Sequence, residues 1–375
     1  MTWKIPLFRM YWDDDDITEV NAVIKTGMSW SSGPQIETFE KMIADYIGTD
    51  YCATFNSGTS ALHVALLAYG IEPGDQVIVP SFTFIATANA PKFVGATPVF
   101  ADIENSTLGL DPSDVEAKIT SKTKAVIPVH YGGYPCNIRE LRKIADDHGI
   151  ILIEDAAESF GARVGDRKVG TFGDSAILSF CQSKIITTGE GGAVVTNNRD
   201  LYEKMKLIRS HGRPDTVDYF STTEISDYVS LGYNLRMSTM TAALGISQLR
   251  KIERILEKRR ADAEYYRSGL NAVPNISIPK EDSTTYPVYQ LFSIQAKKRD
   301  NLIKFLERKR IMTKIYFPPV HKTHYYQKVL GYSDSLPVTD AVSDEIISLP
   351  FYPGISKNEL DFVIQAIREF EANLQ

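Results

Sequence analysis

The chain has 375 residues, 43% apolar and 23% charged, with a formal net charge of -6. That length exceeds one ordinary core, so two domains, or one large and one small, are expected. The composition excludes a disordered or fibrous chain, and scattered positive residues with an acidic balance exclude a nucleic-acid-binding surface.

The three cysteines, Cys52, Cys136 and Cys181, form no CxxC pair and no metal-ligand spacing. This pattern argues for a reducing compartment and against a disulfide framework. No apolar run approaches ~18 residues and the start of the chain carries no signal-peptide core, so a cytoplasmic protein without a membrane span is expected.

In chain order, Pro34 opens a helical stretch with Ile36, Phe39, Met42, Ile43, Tyr46 and Ile47 on one face. Asn56-Ser-Gly-Thr-Ser60 then leads into a second, strongly apolar helix from Ala61. Strands are predicted at Gln76–Val79, Pro98–Ala101, Ala125–Val129, Ile150–Ile153, Ile177–Phe180 and Ala193–Thr196. Helical patterns lie between several of them, including Ile138–His148 and a segment from about Ala86 to Val94, where Pro91 predicts a kink or an early end. Short apolar strands alternating with helices predict an α/β fold with a mainly parallel sheet between helices.

A helix over Arg199–Ser210 precedes a long excursion at Gly212–Tyr233, of the kind that contacts ligands or partners. A long charged helix is predicted from about Ser238 to Tyr266. Beyond Pro274 the rhythm changes to strands at Val288–Ala296 and Met312–Tyr316 and helices at Arg299–Arg310, Asp340–Ile347 and Lys357–Glu371. The expected division is a large domain over 1–250 and a smaller C-terminal α+β domain over 251–375.

The chemistry concentrates at predicted strand ends. Lys184 lies between the apolar run Ala176–Phe180 and the glycine-rich Thr188-Gly-Glu-Gly-Gly192, while Asp155 ends Ile151-Leu-Ile-Glu-Asp155. An amine and a carboxylate at the ends of two strands of one sheet are what a pyridoxal phosphate site needs. The lysine forms a Schiff base and the carboxylate keeps the pyridine nitrogen protonated. Gly58, Thr59 and Ser60 at a helix start suit a phosphate, although such a motif alone is more often a plain helix cap. Asp155 alone reads equally well as a satisfied strand-end carboxylate, and Phe84 alone more often as core than as a ring-stacking residue. His130, at a strand end, is a pocket candidate, whereas His63 and His148 read as structural. The chain contains no GxGxxG after the first strand, no P-loop, no HExxH and no GxSxG.

Taken together, Asn56-Ser-Gly-Thr-Ser-Ala-Leu-His63, Pro80-Ser-Phe-Thr-Phe84, Glu154-Asp-Ala-Ala-Glu158, Ser179-Phe…Lys184, Thr188-Gly-Glu-Gly-Gly192 and Gly232-Tyr-Asn-Leu-Arg-Met237 resemble the DegT/DnrJ/EryC1/StrS nucleotide-sugar aminotransferases. The resemblance covers essentially the whole chain and implies a fold-type I pyridoxal-phosphate-dependent transferase. It implies that Lys184 holds the cofactor covalently, Asp155 pairs with the ring nitrogen and Glu158 lies near the ring hydroxyl. By the same resemblance Thr59, Ser60 and Ser179 hold the phosphate, Phe84 stacks on the ring, and Asn234 reaches the cofactor phosphate of a neighbouring subunit. A homodimer with shared active sites follows, with L-glutamate and a nucleotide-linked keto sugar as substrates. Glu158, where many members carry glutamine, resembles the perosamine-synthase branch, which aminates a 4-keto-6-deoxy sugar on GDP. Leu235 stands where many members have a second aromatic and is expected to alter packing only. The loop Tyr316-Phe-Pro-Pro-Val-His321 resembles, loosely, the segment that approaches the sugar. The alternatives are a 3-keto sugar aminotransferase, another fold-type I enzyme, or a non-catalytic regulator.

Overall fold

Helix α1 (Asp14–Lys25) begins where four consecutive aspartates stand, and the structure explains that run. Asp13 and Asp16 form a capping box, with the Asp13 amide donating to Asp16 Oδ2 at 2.9 Å. The structure, a computed structural model, describes residues 2–214, 223, 225 and 227–373. Much of the predicted excursion at 212–233 therefore lies outside the described residues.

After α2 (Pro34–Ile47) the chain enters strand β1 (Tyr51–Phe55) and helix α3 (Gly58–Ala68). Then follow β2 (Gln76–Pro80), α4 (Ile85–Phe93), β3 (Thr97–Ala101), α5 (Pro112–Lys118) and β4 (Thr123–Val126). Next come α6 (Ile138–His148), β5 (Ile151–Asp155), the short strands β6 (Arg163–Val164) and β7 (Arg167–Lys168), β8 (Ser175–Ser179), β9 (Gly192–Thr196) and α7 (Arg199–Arg209). Seven of these strands form one sheet in the order β1-β9-β8-β5-β4-β2-β3. Strand β9 runs antiparallel to both neighbours, and every other pairing is parallel. Helices cover both faces: α3, α4 and α7 contribute to one apolar cluster, and α2 with the following helices α8 (Thr239–Arg250) and α9 (Ile252–Leu270) to another. The near-continuous burial of β2, β5, β8 and β9 is what a sheet covered on both faces requires.

A third apolar cluster further along the chain gathers α9, α10 (Arg299–Arg308), α12 (Lys357–Ala372) and the strands β10 (Ile276–Ser277), β12 (Phe292–Ala296) and β13 (Ile346–Leu349). Strand β11 (Thr285–Tyr286) instead joins β6 and β7, and α11 (Pro337–Glu345) leads into β13. Ile5 belongs to this cluster and bridges to Ile311 in parallel, so the start of the chain packs on its C-terminal third.

Several boundaries differ from expectation. The helix predicted over Ser238–Tyr266 is two helices, α8 and α9, broken at Lys251. The break delivers the Lys251 ammonium to both Asp13 and Asp16, 2.9 Å from the latter. Val288–Ala296 is a strand only from Phe292, because the Val288 and Leu291 amides donate to Gly133 and Gly132 instead of to a sheet. Met312–Tyr316 makes a single bridge, Lys314 pairing with Ser348, and no strand. The helix expected to reach Ile347 stops at Glu345, since the β-branched Ile346 and Ile347 pair with β12. Pro91 sits in the last turn of α4, which ends at Phe93.

Candidate active site

The carboxyl ends of the parallel strands open onto a cavity of about 500 Å³. Gly58, Thr59, Phe84, Asp155, Glu158, Ser179, Lys184 and Tyr316 all line it. A crevice beyond the carboxyl ends of such strands is the usual ligand position in open α/β sheets.

Asp155 ends β5 and is buried. Its Oδ2 accepts the Thr87 hydroxyl at 2.8 Å, and its Oδ1 accepts the Ala157 amide at 3.2 Å. Thr83 Oγ1 lies 3.0 Å from Thr87 Oγ1, so the two threonines form a short relay that fixes the carboxylate. Burial pushes the Asp155 carboxyl above its ordinary range, while the Thr87 and Ala157 hydrogen bonds pull the other way. A carboxylate held there calls for a cationic or N–H partner.

Lys184 projects from the segment after β8. Its ammonium lies 3.2 Å from Glu158 Oε1, and its side chain is 16% exposed. Glu158 Oε2 in turn accepts the Gly132 amide at 2.9 Å. The glycine-rich corner is held at its base, where Phe180 accepts the Thr188 amide and donates to Gly191 O, both at 2.9 Å. Gln290 donates to the Ser183 carbonyl, which ties the lysine loop to the C-terminal third of the chain.

At the other side of the cavity α3 begins. Ser57 caps it, its hydroxyl accepting the Ser60 amide at 3.1 Å. The helix-opening amides of Gly58 and Thr59 therefore stand at the cavity wall with the positive end of the helix dipole. A Cβ added at Gly58 would lie 3.0 Å from Ser179 Cβ and 3.2 Å from its hydroxyl. A Cβ at Gly192 would meet the Gly58 amide nitrogen at 2.5 Å. Both glycines keep this corner open, and its donor set fits a phosphate monoester. Replacing Gly58 with alanine is expected to displace Ser179 and raise the cofactor dissociation constant roughly tenfold, about one hydrogen bond's worth. A cofactor titration of the apoprotein measures it, and unaltered affinity would refute the cradle.

Other sequence-predicted residues sit less centrally. Ser60 is not among the cavity-lining residues, its hydroxyl lying 2.7 Å from Asn56 Oδ1. Phe84 is 58% exposed on the cavity rim, its ring centroid 5.9 Å from that of Phe317. Asn234 is exposed and lies outside this cavity. His321 does not line the cavity: it is buried, with Nδ1 2.6 Å from Ser81 Oγ. His130 is likewise fully buried, Nε2 lying 3.0 Å from Glu154 and Nδ1 accepting the Cys136 amide at 3.1 Å. With one nitrogen accepting and the other facing a carboxylate, His130 supports the strand ends rather than the pocket. Thr87, Gln290, Phe317, Glu190 and Lys314 line the cavity without having been singled out from sequence. Phe317 and Lys314 flank the aromatic Tyr316, and Glu190 lies inside the glycine-rich stretch Thr188–Gly192; Thr87 and Gln290 carry no local signal.

The family model for the DegT/DnrJ/EryC1/StrS aminotransferases matches residues 11–368. This chain belongs to that family. Its members are pyridoxal-phosphate-dependent aminotransferases. The GDP-perosamine synthase of Vibrio cholerae is 37% identical over 371 residues, covering 98% of this chain and 99% of that one. The dTDP-3-amino-3,4,6-trideoxy-alpha-D-glucose transaminase of Streptomyces venezuelae is 36% identical over 340 residues, 90% of this chain and 87% of that one. Among solved structures, S. venezuelae DesV superposes with a TM-score of 0.90 at 34% identity, over 99% of each chain.

Proposed function

We propose that this aminotransferase moves the amino group of L-glutamate to a nucleotide-linked keto-deoxy sugar, in amino-sugar biosynthesis for glycans. The observation that carries the reading is the convergence of Lys184 and Asp155 in one cavity that opens beside the amides of Gly58 and Thr59. The acceptor is a 4-keto-6-deoxyhexose such as GDP-4-keto-6-deoxymannose. Glu158 and the similarity to a GDP-perosamine synthase support that choice. A comparably similar relative named for a 3-amino sugar keeps 3-keto acceptors as the competing reading.

When bound, the cofactor supplies an electron sink for the pair left on the carbon that loses its proton. Lys184 serves as covalent anchor and then, once freed, as the base that moves the proton from the donor's α-carbon to C4′ of the cofactor. It returns a proton to the sugar carbon in the second half. Asp155, held by Thr87 and the Ala157 amide, would pair with the ring nitrogen and keep it protonated. Glu158 orients the Lys184 amine and would lie near the ring hydroxyl of the bound cofactor. Gly58, Thr59 and Ser179 would hold the phosphate, Phe84 would cover the ring, and Tyr316 would border the sugar, while Ser60, outside the cavity, would act only by supporting the helix start. His321, given its burial, acts only by holding the Tyr316 loop against Ser81.

The active form in this reading is a homodimer in the cytoplasm, with Asn234 reaching the partner's cofactor phosphate. Exposed Met28, Trp30, Phe93, Leu231 and Tyr233 supply apolar surface of the kind a subunit interface covers. The division at about residue 250 belongs to the same reading, supported by the helix break at Lys251 and the separate apolar cluster of the C-terminal third.

Adding glutamate to the purified holoprotein is expected to abolish its visible absorbance and release an equivalent of 2-oxoglutarate. A nucleotide-linked 4-keto sugar should then restore the band. A band indifferent to glutamate would instead favour a non-catalytic regulator.

A further inference from the structure

Five charged residues line the cavity among those described: Asp155, Glu158, Lys184, Glu190 and Lys314. The ammonium of Lys184 is engaged by Glu158. Lys314 is different. It is exposed at the cavity rim, no salt bridge joins it to a carboxylate among the described residues, and its Nζ lies 4.9 Å from the centroid of the Tyr316 ring. Contact with a ring face orients an ammonium without neutralising it, so the full charge remains available to a ligand.

The backbone beneath this amine is fixed at both ends. Lys314 exchanges two hydrogen bonds with Ser348, its amide donating at 3.2 Å and its carbonyl accepting at 2.8 Å. The Tyr316 carbonyl accepts the hydroxyl of buried Tyr131. A chain of hydroxyls joins these anchors, with Tyr131 3.2 Å from Ser293 and Ser293 2.8 Å from Ser348. The residue immediately after Tyr131, Gly132, holds Glu158 through its amide. The wall carrying Lys314 is thereby built in register with the groups around Lys184.

We infer that Lys314 is the specificity-determining cation that receives the diphosphate of the sugar substrate. The inference rests on the nucleotide-sugar reading above and extends it. The sugar carbon that accepts nitrogen must lie against Lys184, and in a 4-keto sugar the diphosphate leaves from the carbon across the ring. It therefore points away from the buried end of the cavity and toward the rim, where Lys314 stands. The carboxylate on glutamate's α-carbon stays next to the reacting atom instead. Lysine suits this task as a point charge on a flexible stem, meeting a diphosphate that need not present one fixed fork.

The test uses the holoprotein with Lys314→Met, which keeps the stem, and Lys314→Arg, which keeps the charge. GDP and dTDP serve as diphosphate probes in calorimetric titrations, with glutamate-driven bleaching of the cofactor followed in parallel. The Met variant is expected to bind the preferred diphosphate about ten- to hundredfold more weakly and to raise KM for the sugar in proportion, with kcat and the glutamate KM moved less than about twofold. Arginine should restore most of the affinity. Equal diphosphate affinity in wild type and Met variant, no diphosphate binding by the wild type, or a matching rise in the glutamate KM would each overturn the assignment. Failure of glutamate to bleach the wild type is a separate result, which strikes the aminotransferase reading while the diphosphate titration still decides Lys314.

Discussion

Lys184→Ala is expected to lower turnover about 10⁴-fold, the upper end of what one positioned proton-transfer group contributes. The large value follows from two duties falling on one amine. It anchors the cofactor covalently, and it carries the proton in both halves of the reaction. The neighbouring hydrogen bonds predict the form of the defect. The Gly58 and Thr59 amides, and the hydrogen bonds that Thr87 and Ala157 give to Asp155, do not involve the lysine side chain, so the variant should still bind cofactor. It should load with substrate and stall before the proton moves. Borohydride treatment of the wild type should fix the cofactor to the peptide containing Lys184 and leave the alanine variant unlabelled. Lys184→Arg preserves charge near Glu158 but not a titrating base, and it is expected to be as inactive as alanine. Near-normal turnover in the alanine variant, or label recovered on another lysine, would remove the basis for the mechanism.

The features that made Lys184 and Asp155 legible are local. Each follows an apolar run of strand length, and the alternation of such runs with helical patterns declares a parallel sheet whose strand ends share one edge. Although the strand before it, β1, is not among the strands the sequence predicts, Gly58 is legible from the apolar helical pattern that starts just after it. Thr87 is not, because a threonine inside a helical stretch carries no mark that its hydroxyl will meet a carboxylate 68 residues later. Gln290 and Tyr131 escape similarly: their partners, the Ser183 carbonyl and the Tyr316 carbonyl, are distant in sequence and lie on loops. His130 shows the converse error. Its strand-end position matches that of a catalytic group, but Glu154 and the Cys136 amide occupy both ring nitrogens. Sequence pattern locates the edge of the sheet where chemistry happens. It does not say which side chains on that edge turn inward to hold the others. The boundary misses at Ile346 and Lys251 share this cause, since strand pairing with β12 and ion pairing with α1 override local helical periodicity.

Asp155→Asn separates function from stability with opposite signs. Burial raises the Asp155 carboxyl above its ordinary range in the folded apoprotein. As pH rises from acid, the unfolded chain loses this proton first, at about pH 3.9, and the folded protein only later. Folding stability contributed by this group therefore declines through that window, and the penalty is fully present at neutral pH. Asparagine removes the charge while its amide can still accept the Thr87 hydroxyl, so the apo variant should melt no lower than wild type at pH 7 and gain least, relative to wild type, at acid pH. Activity should move the other way. Without a carboxylate the ring nitrogen loses the charge that keeps it protonated, and turnover is expected to fall about hundredfold to thousandfold, as for loss of one preorganised electrostatic group. The increment in melting temperature on adding cofactor should shrink, because the buried carboxylate no longer meets its cationic partner. Melting curves with and without cofactor, set beside rates of glutamate-driven bleaching, test both signs together. An apo variant that is clearly destabilised at neutral pH yet still bleaches at the wild-type rate would mean that Asp155 is a structural carboxylate and that another group faces the ring nitrogen.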